Sequence, residues 1–363
     1  MKHALLNDLL GTRLPLIQAP MAGVQGSALA IAVSNAGGLG SLPGAMLSPE
    51  ALRTELAALR DGAAGRPYNV NFFCHTPPVP SADREADWRN TLAPYYREYD
   101  IDPASIVAGP GRNPFTEEAA RLLEEFRPPV LSFHFGLPAP ALLERVRGWG
   151  AKVLASATTL EEGLWLAERG VDAVIAQGLE AGGHRGHFLS HDLTRQPGLF
   201  ALLPQLAAAL DVPVIAAGGI ADARGVAAAM ALGAAGVQVG TAYLLCPEAT
   251  TSALHRAALQ SPAAQHTALT NLFTGRPARG IVNRVMRELG PLSAVAPVFP
   301  LATTGIVPLR TRAEARGSSD FSPLWSGQNA SGCRELPAAE LTRALAAGFG
   351  AEVLGEAEVG GRG

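Results

Sequence analysis

The densest group of potentially reactive side chains lies in a glycine- and histidine-rich stretch, residues 177–192. Its three histidines are His184, His187 and His191. Histidine titrates near neutral pH, so it can act as a general base or bind an anion. Glycines precede and follow His184, which leaves its imidazole room to reach a ligand held by neighbouring loops. We therefore predict a functional role for His184, with a structural role as the alternative, and surface positions for His187 and His191.

A metal site is the second chemistry that these histidines suggest, because their spacing could ligate zinc from one helix. However, the segment contains too many glycines to form a stable helix. No arrangement of Asp or Glu with His elsewhere in the chain supplies further ligands. We therefore predict that the protein binds no metal.

Residues 213–241 contain glycines at two points that would suit an anion. Gly218-Gly219 follows an apolar segment, residues 213–217, and Gly240-Thr241 follows a second one, residues 237–239, with a helix predicted between them. This strand–helix–strand unit requires parallel pairing and a right-handed crossover. Backbone N–H groups at glycines can approach an anion closely, and loops after the last two strands of a (β/α)₈ barrel commonly hold a phosphate. We predict a phosphate-bearing ligand there, with tight turns as the alternative.

Apolar strands and amphipathic helices alternate regularly along the rest of the chain. The predicted strands cover residues 16–21, 39–42, 68–74, 130–135, 152–157, 173–177, 213–217 and 237–239. The predicted helices cover residues 27–35, a helix capped by Ser48, and residues 115–126, 139–149, 160–169, 199–210 and 222–232. Eight repeats of this kind predict an α/β fold, specifically a (β/α)₈ TIM barrel. A doubly wound open sheet is the alternative, but no GxGxxG sequence follows an early strand.

The domain organisation follows from where this alternation is interrupted. Residues 1–246 would form the barrel, completed by residues 321–350, which include a predicted helix over 338–349. Residues 247–320 would form an inserted, mainly helical subdomain that covers the barrel mouth, with helices over 251–259 and 283–289 and connectors around 291–308. Residues 79–114 are a proline-rich and charged excursion, predicted to form a loop and a helix over one end of the barrel.

The composition excludes several classes of protein. The net charge is −3 and there is no basic run, so we predict no binding of nucleic acid. The three cysteines are far apart in the sequence, which argues against a disulfide framework and fits the reducing cytoplasm. Residues 226–246 carry no charge over a length that could span a membrane, but glycines and a glutamine divide them into a helix, a turn and a strand. We predict a soluble protein with no membrane partner.

Several segments, taken in order, resemble one known family. They are LIQAPMAG, NVNFFCH, SFHFGLP, AQGLEAGGHRGHF, PVIAAGGI, GVQVGT and, near the end, LWSGQ. Together they resemble the nitronate monooxygenases, formerly 2-nitropropane dioxygenases, over nearly the whole chain. The resemblance implies a TIM barrel with bound FMN that oxidises alkyl nitronates with O₂ to a carbonyl compound and nitrite. Propionate 3-nitronate would be one candidate substrate, no nicotinamide would be required, and the protein would be a monomer or a homodimer.

The resemblance also implies roles for individual residues. His184 matches the active-site histidine of the family. The FMN phosphate would be held by Gly218, Gly219, Gln238, Val239, Gly240 and Thr241. The ribityl chain and the flavin ring would be contacted by Asn71, Gln177, Gly182, Gly183, Pro20, Met21, Ala22 and Gly23, and by the closing residues Gly327 and Gln328. The substrate would be contacted by His134 and Phe299, although His134 could equally pack in the core.

The chain departs from the family where the substrate would bind, and this leaves alternatives open. The family resemblance implies tyrosines and a lysine around the substrate pocket, but residues 298–310 contain neither, and residues 109–115 contain no tyrosine. Arg276 and Arg279 could receive an anionic group or could be structural. An FMN-dependent NAD(P)H reductase acting on a quinone or an enoyl thioester is the main alternative function. A flavin-free isomerase or lyase would need paired carboxylates or a Lys–Glu pair, which the strand ends lack.

Overall fold

The computed structural model describes residues 2–107, 109 and 111–350, and it contains one closed parallel sheet. The strands are β1 Leu16–Gln18, β2 Gly40–Pro43, β3 Tyr68–Phe73, β4 Val130–His134, β5 Lys152–Ala157, β6 Ala173–Gln177, β7 Gly183–His184, β8 Val214–Ala217, β9 Gly236–Val239, β10 Thr267–Thr270 and β11 Ala278–Ile281. Eight of them form a parallel sheet in the order β1-β9-β8-β6-β5-β4-β3-β2. Its edges meet, because Leu39 N donates to Leu16 O at 2.8 Å and Gln18 N donates to Leu39 O at 3.0 Å. The predicted TIM barrel is therefore confirmed.

Helices lie between the barrel strands, close to their predicted positions. They are α1 Lys2–Leu10, α2 Ser27–Asn35, α3 Pro49–Gly62, α4 Ala82–Glu98, α5 Glu117–Phe126, α6 Pro140–Gly148, α7 Leu160–Glu168, α8 Leu199–Ala209, α9 Ala223–Ala231, α10 Ala253–Leu259, α11 Arg284–Leu289, α12 Thr303–Ala315 and α13 Ala338–Ala346. The predicted N-cap is present, since Ser48 Oγ accepts a hydrogen bond from Ala51 N. None of the helices in the described ranges is long and apolar enough to cross a membrane.

The amino-terminal end of the barrel is filled by apolar side chains. Leu6 and Leu10 of α1 belong to one buried cluster with barrel residues that include Ile17, Ile175 and Ile215. A TIM barrel filled in this way is a packed core rather than a pore. A ligand must therefore bind at the opposite end, beyond the carboxyl ends of the strands.

β1 is shorter than predicted, because it ends at Gln18 rather than at residue 21. Ala19 N still donates to Val239 O at 2.8 Å, but the next residue, Pro20, has no N–H group to continue a ladder. Gly23 then adopts a φ of +83°, in the left-handed region that favours glycine. Residues 20–23 therefore leave the sheet and turn across its carboxyl end.

Residues 247–320 contain the two predicted helices, as α10 and α11, and in addition an antiparallel pair of strands, β10 and β11. A further helix, α12, runs through Pro308, where a connector was predicted. Proline disfavours a helix interior, so tertiary contacts must compensate. They come from α4: Tyr96 Oη donates to Gly305 O at 2.7 Å, and Trp88 Nε1 donates to Ala302 O at 3.1 Å. α4, which is the helix predicted within residues 79–114, thus packs against α12.

Candidate active site

A cavity of about 300 Å³ lies at the carboxyl end of the barrel strands. His184 and His134 line it, together with every residue predicted to bind the cofactor except Gln328. Phe299 is not part of this lining, but its ring centroid lies 5.4 Å from that of His184. The structure therefore brings the residues singled out in the sequence to one place, at the end of the barrel where TIM-barrel ligands bind.

The glycine-rich ends of β8 and β9 form one side of the cavity. Gly218 and Gly219 have φ values of +122° and +72°, so both sit where a side chain would be strained. Gly240 immediately precedes a short 3₁₀ helix, residues 241–245. Beside them Gln238 lines the cavity, and its buried Oε1 has no hydrogen-bond partner among the described residues. The free acceptor of Gln238 suits a ligand with hydroxyl or N–H donors, and the exposed backbone of the glycines suits a phosphate. A flavin mononucleotide has both.

Asn71 and Gln177, predicted to contact the flavin, also make hydrogen bonds within the protein. Asn71 Nδ2 donates to Ser132 O at 3.1 Å and to its Oγ at 3.0 Å, so this polar side chain inside β3 has partners despite its burial. Gln177 Nε2 donates to His184 O at 2.9 Å, while its Oε1 accepts from Gly186 N at 2.8 Å. Gln177 therefore also holds the backbone around His184.

A closing segment, residues 324–328, packs against the loop that follows β6. Gln328 N donates to Glu180 O at 2.9 Å, and Gly327 N donates to Thr241 Oγ1 at 2.9 Å. The backbones approach so closely that a Cβ at Gly182 would lie 2.6 Å from Gly327 N. Gln328, although outside the cavity lining, thus joins two of its walls.

Replacing Gly182 with alanine is expected to weaken flavin binding, because the new methyl group would push the closing segment away from the loop. Overpacking of this kind costs about 1 to 3 kcal/mol, and the atoms in contact are backbone atoms that cannot rotate away. The measurement is the Kd for FMN from titration of flavin-free protein. Gly148→Ala is the matched control, because a Cβ at Gly148 at the end of α6 meets open space. Equal FMN affinity in both variants would contradict the prediction.

His184 is held on the short strand β7, which pairs with β11 so that His184 lies opposite Ala278. Its Nε2 lies 2.9 Å from Thr274 Oγ1. Its imidazole contacts four aromatic rings at centroid distances of 5.4 to 6.4 Å, those of Phe73, Phe135, Phe299 and Trp325. Burial, followed by the positive charge of Arg112, holds the pKa of His184 well below its usual value of 6.5. The imidazole is therefore uncharged at neutral pH.

His134, whose position the sequence left open, lines the cavity but has both ring nitrogens engaged. Its Nε2 lies 3.1 Å from His184 O, and its Nδ1 lies 3.1 Å from Ser156 Oγ. Since a carbonyl only accepts, Nε2 carries the proton and Nδ1 accepts from the serine. Burial lowers the pKa of His134 to about 4, so it too is uncharged. Its hydrogen bonds support the backbone of His184 rather than leave a nitrogen free for a substrate.

Arg185, which follows His184, is a buried residue that no sequence motif singled out. Its side chain is fully buried and donates to Gln196 Oε1 at 2.8 Å, Gly178 O at 2.7 Å and Gln177 O at 2.9 Å. Arg185 thus connects the beginning of the loop after β6, at Gln177 and Gly178, with its later part at Gln196. The sequence signal for such a residue is a cation within a glycine-rich, irregular segment, because the carbonyl groups of such a loop need hydrogen-bond donors.

Arg276 and Arg279 also bind this loop. Arg276 Nη2 donates to His187 O, and its guanidinium carbon lies 4.0 Å from the centroid of the Phe135 ring. Arg279 Nε donates to Leu179 O at 3.0 Å. Neither Arg276 nor Arg279 belongs to the described lining of the cavity. Of the two interpretations left open, these contacts favour the structural one.

The predicted surface position of His187 is wrong, because its side chain is only 1% exposed. Arg276 Nη2 donates to the backbone carbonyl of His187, and burial lowers the pKa of this histidine to about 3. His191 is exposed as predicted. No group of three or more histidine, cysteine or acidic side chains in the described part of the chain could hold a metal ion.

Comparison with known proteins identifies the family. The sequence model described as nitronate monooxygenase matches residues 3–348. The chain belongs to the nitronate monooxygenase family. The nitronate monooxygenase of Pseudomonas aeruginosa is 44% identical over 93% of this chain and 96% of its own length. That of Paraburkholderia phytofirmans is 42% identical over 95% of this chain and 94% of its own length.

Solved structures agree with this membership. Nitroalkane oxidase from Streptomyces ansochromogenes has a TM-score of 0.85 and 40% identity, covering 96% of this chain and 98% of its own. FabK from Thermotoga maritima is more distant, with a TM-score of 0.70, 26% identity and 95% coverage of both chains. As a member of this family of flavin enzymes, the protein is an oxidoreductase.

Proposed function

We propose that this protein is an FMN-dependent nitronate monooxygenase, which oxidises alkyl nitronates with O₂ to a carbonyl compound and nitrite. The observation that carries the proposal is the position of His184, an uncharged imidazole on the cavity wall among aromatic rings. Only the uncharged form of histidine accepts a proton, as removal of the α-proton of a nitroalkane requires. Membership of the nitronate monooxygenase family supports the same activity.

The proposed flavin is FMN, and the cavity has residues of the right kind for each of its parts. The glycines after β8 and β9, with Val239 and Thr241, would surround the phosphate. Gln238, which the resemblance assigned to the phosphate, has a free acceptor, Oε1, and would instead bind the ribityl hydroxyls or the edge of the ring together with Asn71. Residues 20–23 and Gly182-Gly183 would line the ring itself. When bound, FMN supplies the electron acceptor for the nitronate and passes the electrons to O₂.

The residues around His184 would prepare the substrate for this chemistry. The imidazole of His184 would take the α-proton of a neutral nitroalkane, so that the nitronate forms inside the cavity. The rings of Phe73, Phe299 and Trp325 beside it would exclude water and favour the alkyl part of the substrate. His134 and Gln177 would keep the backbone of His184 in place through its carbonyl group.

We propose further that residues 247–320 are an insertion that covers the mouth of a barrel built from residues 1–246 and 321–350. The pairing of β11 with β7 and the contact of Phe299 with His184 support this division. A cytoplasmic monomer or homodimer is the proposed state of the protein. The absence of disulfides among its three cysteines, Cys74, Cys246 and Cys333, supports the location.

The test is anaerobic mixing of the flavin-loaded protein with ethylnitronate and, separately, with NADH and NADPH. We expect rapid bleaching of the flavin by ethylnitronate and none by either nicotinamide, because the nitronate itself is the proposed electron donor. In air, nitrite should accumulate with ethylnitronate. Bleaching by a nicotinamide alone would contradict the proposal and support an NAD(P)H reductase of a quinone or an enoyl thioester. Failure to bind FMN at all would exclude both functions.

A further inference from the structure

Arg112 is a partly buried cation with no partner among the residues that the structure describes. Its side chain lines the cavity, and its Nε is buried with no hydrogen-bond acceptor. In the described parts of the chain its guanidinium group makes no ion pair and no hydrogen bond, although its guanidinium carbon lies 5.7 Å from the centroid of the Phe299 ring. Burying a charge is costly unless it is paired. An anion that bound in the cavity beside Arg112 would therefore be stabilised.

The other charged groups in the cavity lining are already paired. Arg310 Nε donates to Glu314 Oε1 at 2.8 Å, and Ser322 Oγ donates to the same carboxylate oxygen at 2.7 Å. Burial lowers the pKa of His255, a further lining residue, to about 4, so it is uncharged. Arg112 is therefore the one charged side chain in the described lining that has no opposite charge beside it.

The position of Arg112 separates it from the proposed phosphate site. Its carbonyl lies 3.1 Å from His75 Nε2, and Phe115 N donates to Phe73 O at 2.8 Å, so this segment is attached beyond the end of β3. In the strand order of the barrel, β3 and β4 lie across from β8 and β9, whose glycines would hold the phosphate. Arg112 therefore lies across the cavity from the phosphate site, and it lies near His184 because both side chains pack against Phe299.

A nitronate is an anion, and its charge lies on two oxygens held in a plane. An uncharged His184 provides no opposite charge for it. A guanidinium group binds planar oxyanions through two parallel hydrogen bonds, which suits both a nitronate and a carboxylate.

We propose that Arg112 is the residue that binds the oxyanion of the substrate beside His184. This inference rests on the proposed function, because it takes a nitronate as the substrate. The anionic group is either the nitronate itself or a carboxylate at the other end of the same molecule. Arg112 would then determine specificity for anionic substrates, in a region where the tyrosines and lysine implied by the family resemblance are absent.

The first experiment measures binding without turnover. Nitrate is a planar oxyanion that resembles the nitronate group, and its Kd can be measured by calorimetric titration of the FMN-loaded protein. We expect Arg112→Met to weaken nitrate binding about ten- to hundred-fold, the effect of losing a charge-assisted hydrogen bond. Arg112→Lys should restore part of the affinity because it keeps the charge. Arg97→Met, which removes an exposed positive charge, is the matched control and should change nothing.

The second experiment identifies which oxyanion Arg112 binds. In Arg112→Met, the KM for ethylnitronate should rise about ten- to hundred-fold if the nitronate group is bound, and that for propionate 3-nitronate should rise with it. A rise for propionate 3-nitronate alone would assign Arg112 to the carboxylate. The KM for neutral nitroethane should change by less than about threefold, since no ion pair is lost with it.

Two results would overturn the inference. One is unchanged nitrate affinity together with an unchanged KM for both nitronates in Arg112→Met. The other is weaker FMN binding with unchanged nitrate affinity, which would make Arg112 a cofactor ligand. If the wild-type protein failed to oxidise nitronates but lost nitrate binding on Arg112→Met, the proposed function would fail while the anion site remained.

Discussion

Replacing His184 with asparagine is expected to lower kcat/KM for neutral nitroethane by about 10²- to 10⁴-fold, the usual contribution of a general base. Asparagine has no basic nitrogen, and because its side chain is smaller than the imidazole it fits the same space, although it is too short to reach Thr274 Oγ1, the partner of His184 Nε2. The variant should therefore keep its fold and its flavin. The measurement is steady-state oxidation of nitroethane, with flavin content determined from the absorption spectrum.

Ethylnitronate provides the internal control for this variant. It is already deprotonated, so its oxidation does not need a base, and its kcat/KM should fall much less than that of nitroethane. Equal losses with both substrates would assign His184 a role in orientation rather than in proton removal. Normal turnover of nitroethane by the asparagine variant would remove His184 from the mechanism.

The pH dependence of nitroethane oxidation follows from the same site. Burial and Arg112 hold the pKa of His184 well below 6.5, so the imidazole stays uncharged as the pH falls through 6.5. The rate with nitroethane should therefore remain constant from neutral pH to below pH 6.5, and fall only when the lowered pKa of His184 is reached. A loss of activity centred near 6.5 would indicate a histidine with an ordinary pKa and would contradict this assignment.

Replacing Arg185 with methionine is expected to destabilise the protein by about 1 to 3 kcal/mol or more, since that is the cost of leaving a single buried acceptor without its donor. The variant loses three hydrogen bonds and leaves the carbonyl groups of Gln177 and Gly178 buried without that donor. Those carbonyls belong to the loop that carries His184, so the affinity for flavin should fall as well. The measurement is the free energy of unfolding from urea denaturation, with and without FMN.

Arg195→Met is the control for this loss of stability. Arg195 lies on the same loop, but it is exposed and makes one ion pair, with Glu161 at 2.7 Å. Exposed pairs contribute about 1 kcal/mol or less. If the two variants were equally stable, the buried hydrogen bonds of Arg185 would not hold the loop together.

The barrel itself could be predicted from the sequence, because its signals are local. Each strand is a short apolar run and each helix has apolar residues at helical spacing, so neighbouring residues alone determine both. The eight predicted strands all occur, and Ser48 caps α3 as expected. The glycines at the ends of β8 and β9 could also be located, since parallel strands in consecutive units must end on the same side of a barrel.

What the sequence did not reveal depends on contacts between distant parts of the chain. β7 is only two residues long, and it exists because β11 pairs with it. α12 continues through Pro308 because α4 packs against it, and the buried His187 lies in a loop whose backbone is bound by the distant Arg276. Propensity and periodicity describe neighbouring residues, so they carry no information about such pairings.

The chemistry of the site divides in the same way. The sequence alone determined that a histidine stands among glycines at the mouth of a barrel, close to loops suited to a phosphate. Only the tertiary structure decided that His184 is uncharged, that both nitrogens of His134 are engaged, and that Arg112 has no ion-pair partner within the described ranges. The physical reason is that burial and the positions of surrounding charges determine ionisation, and folding alone brings those groups together.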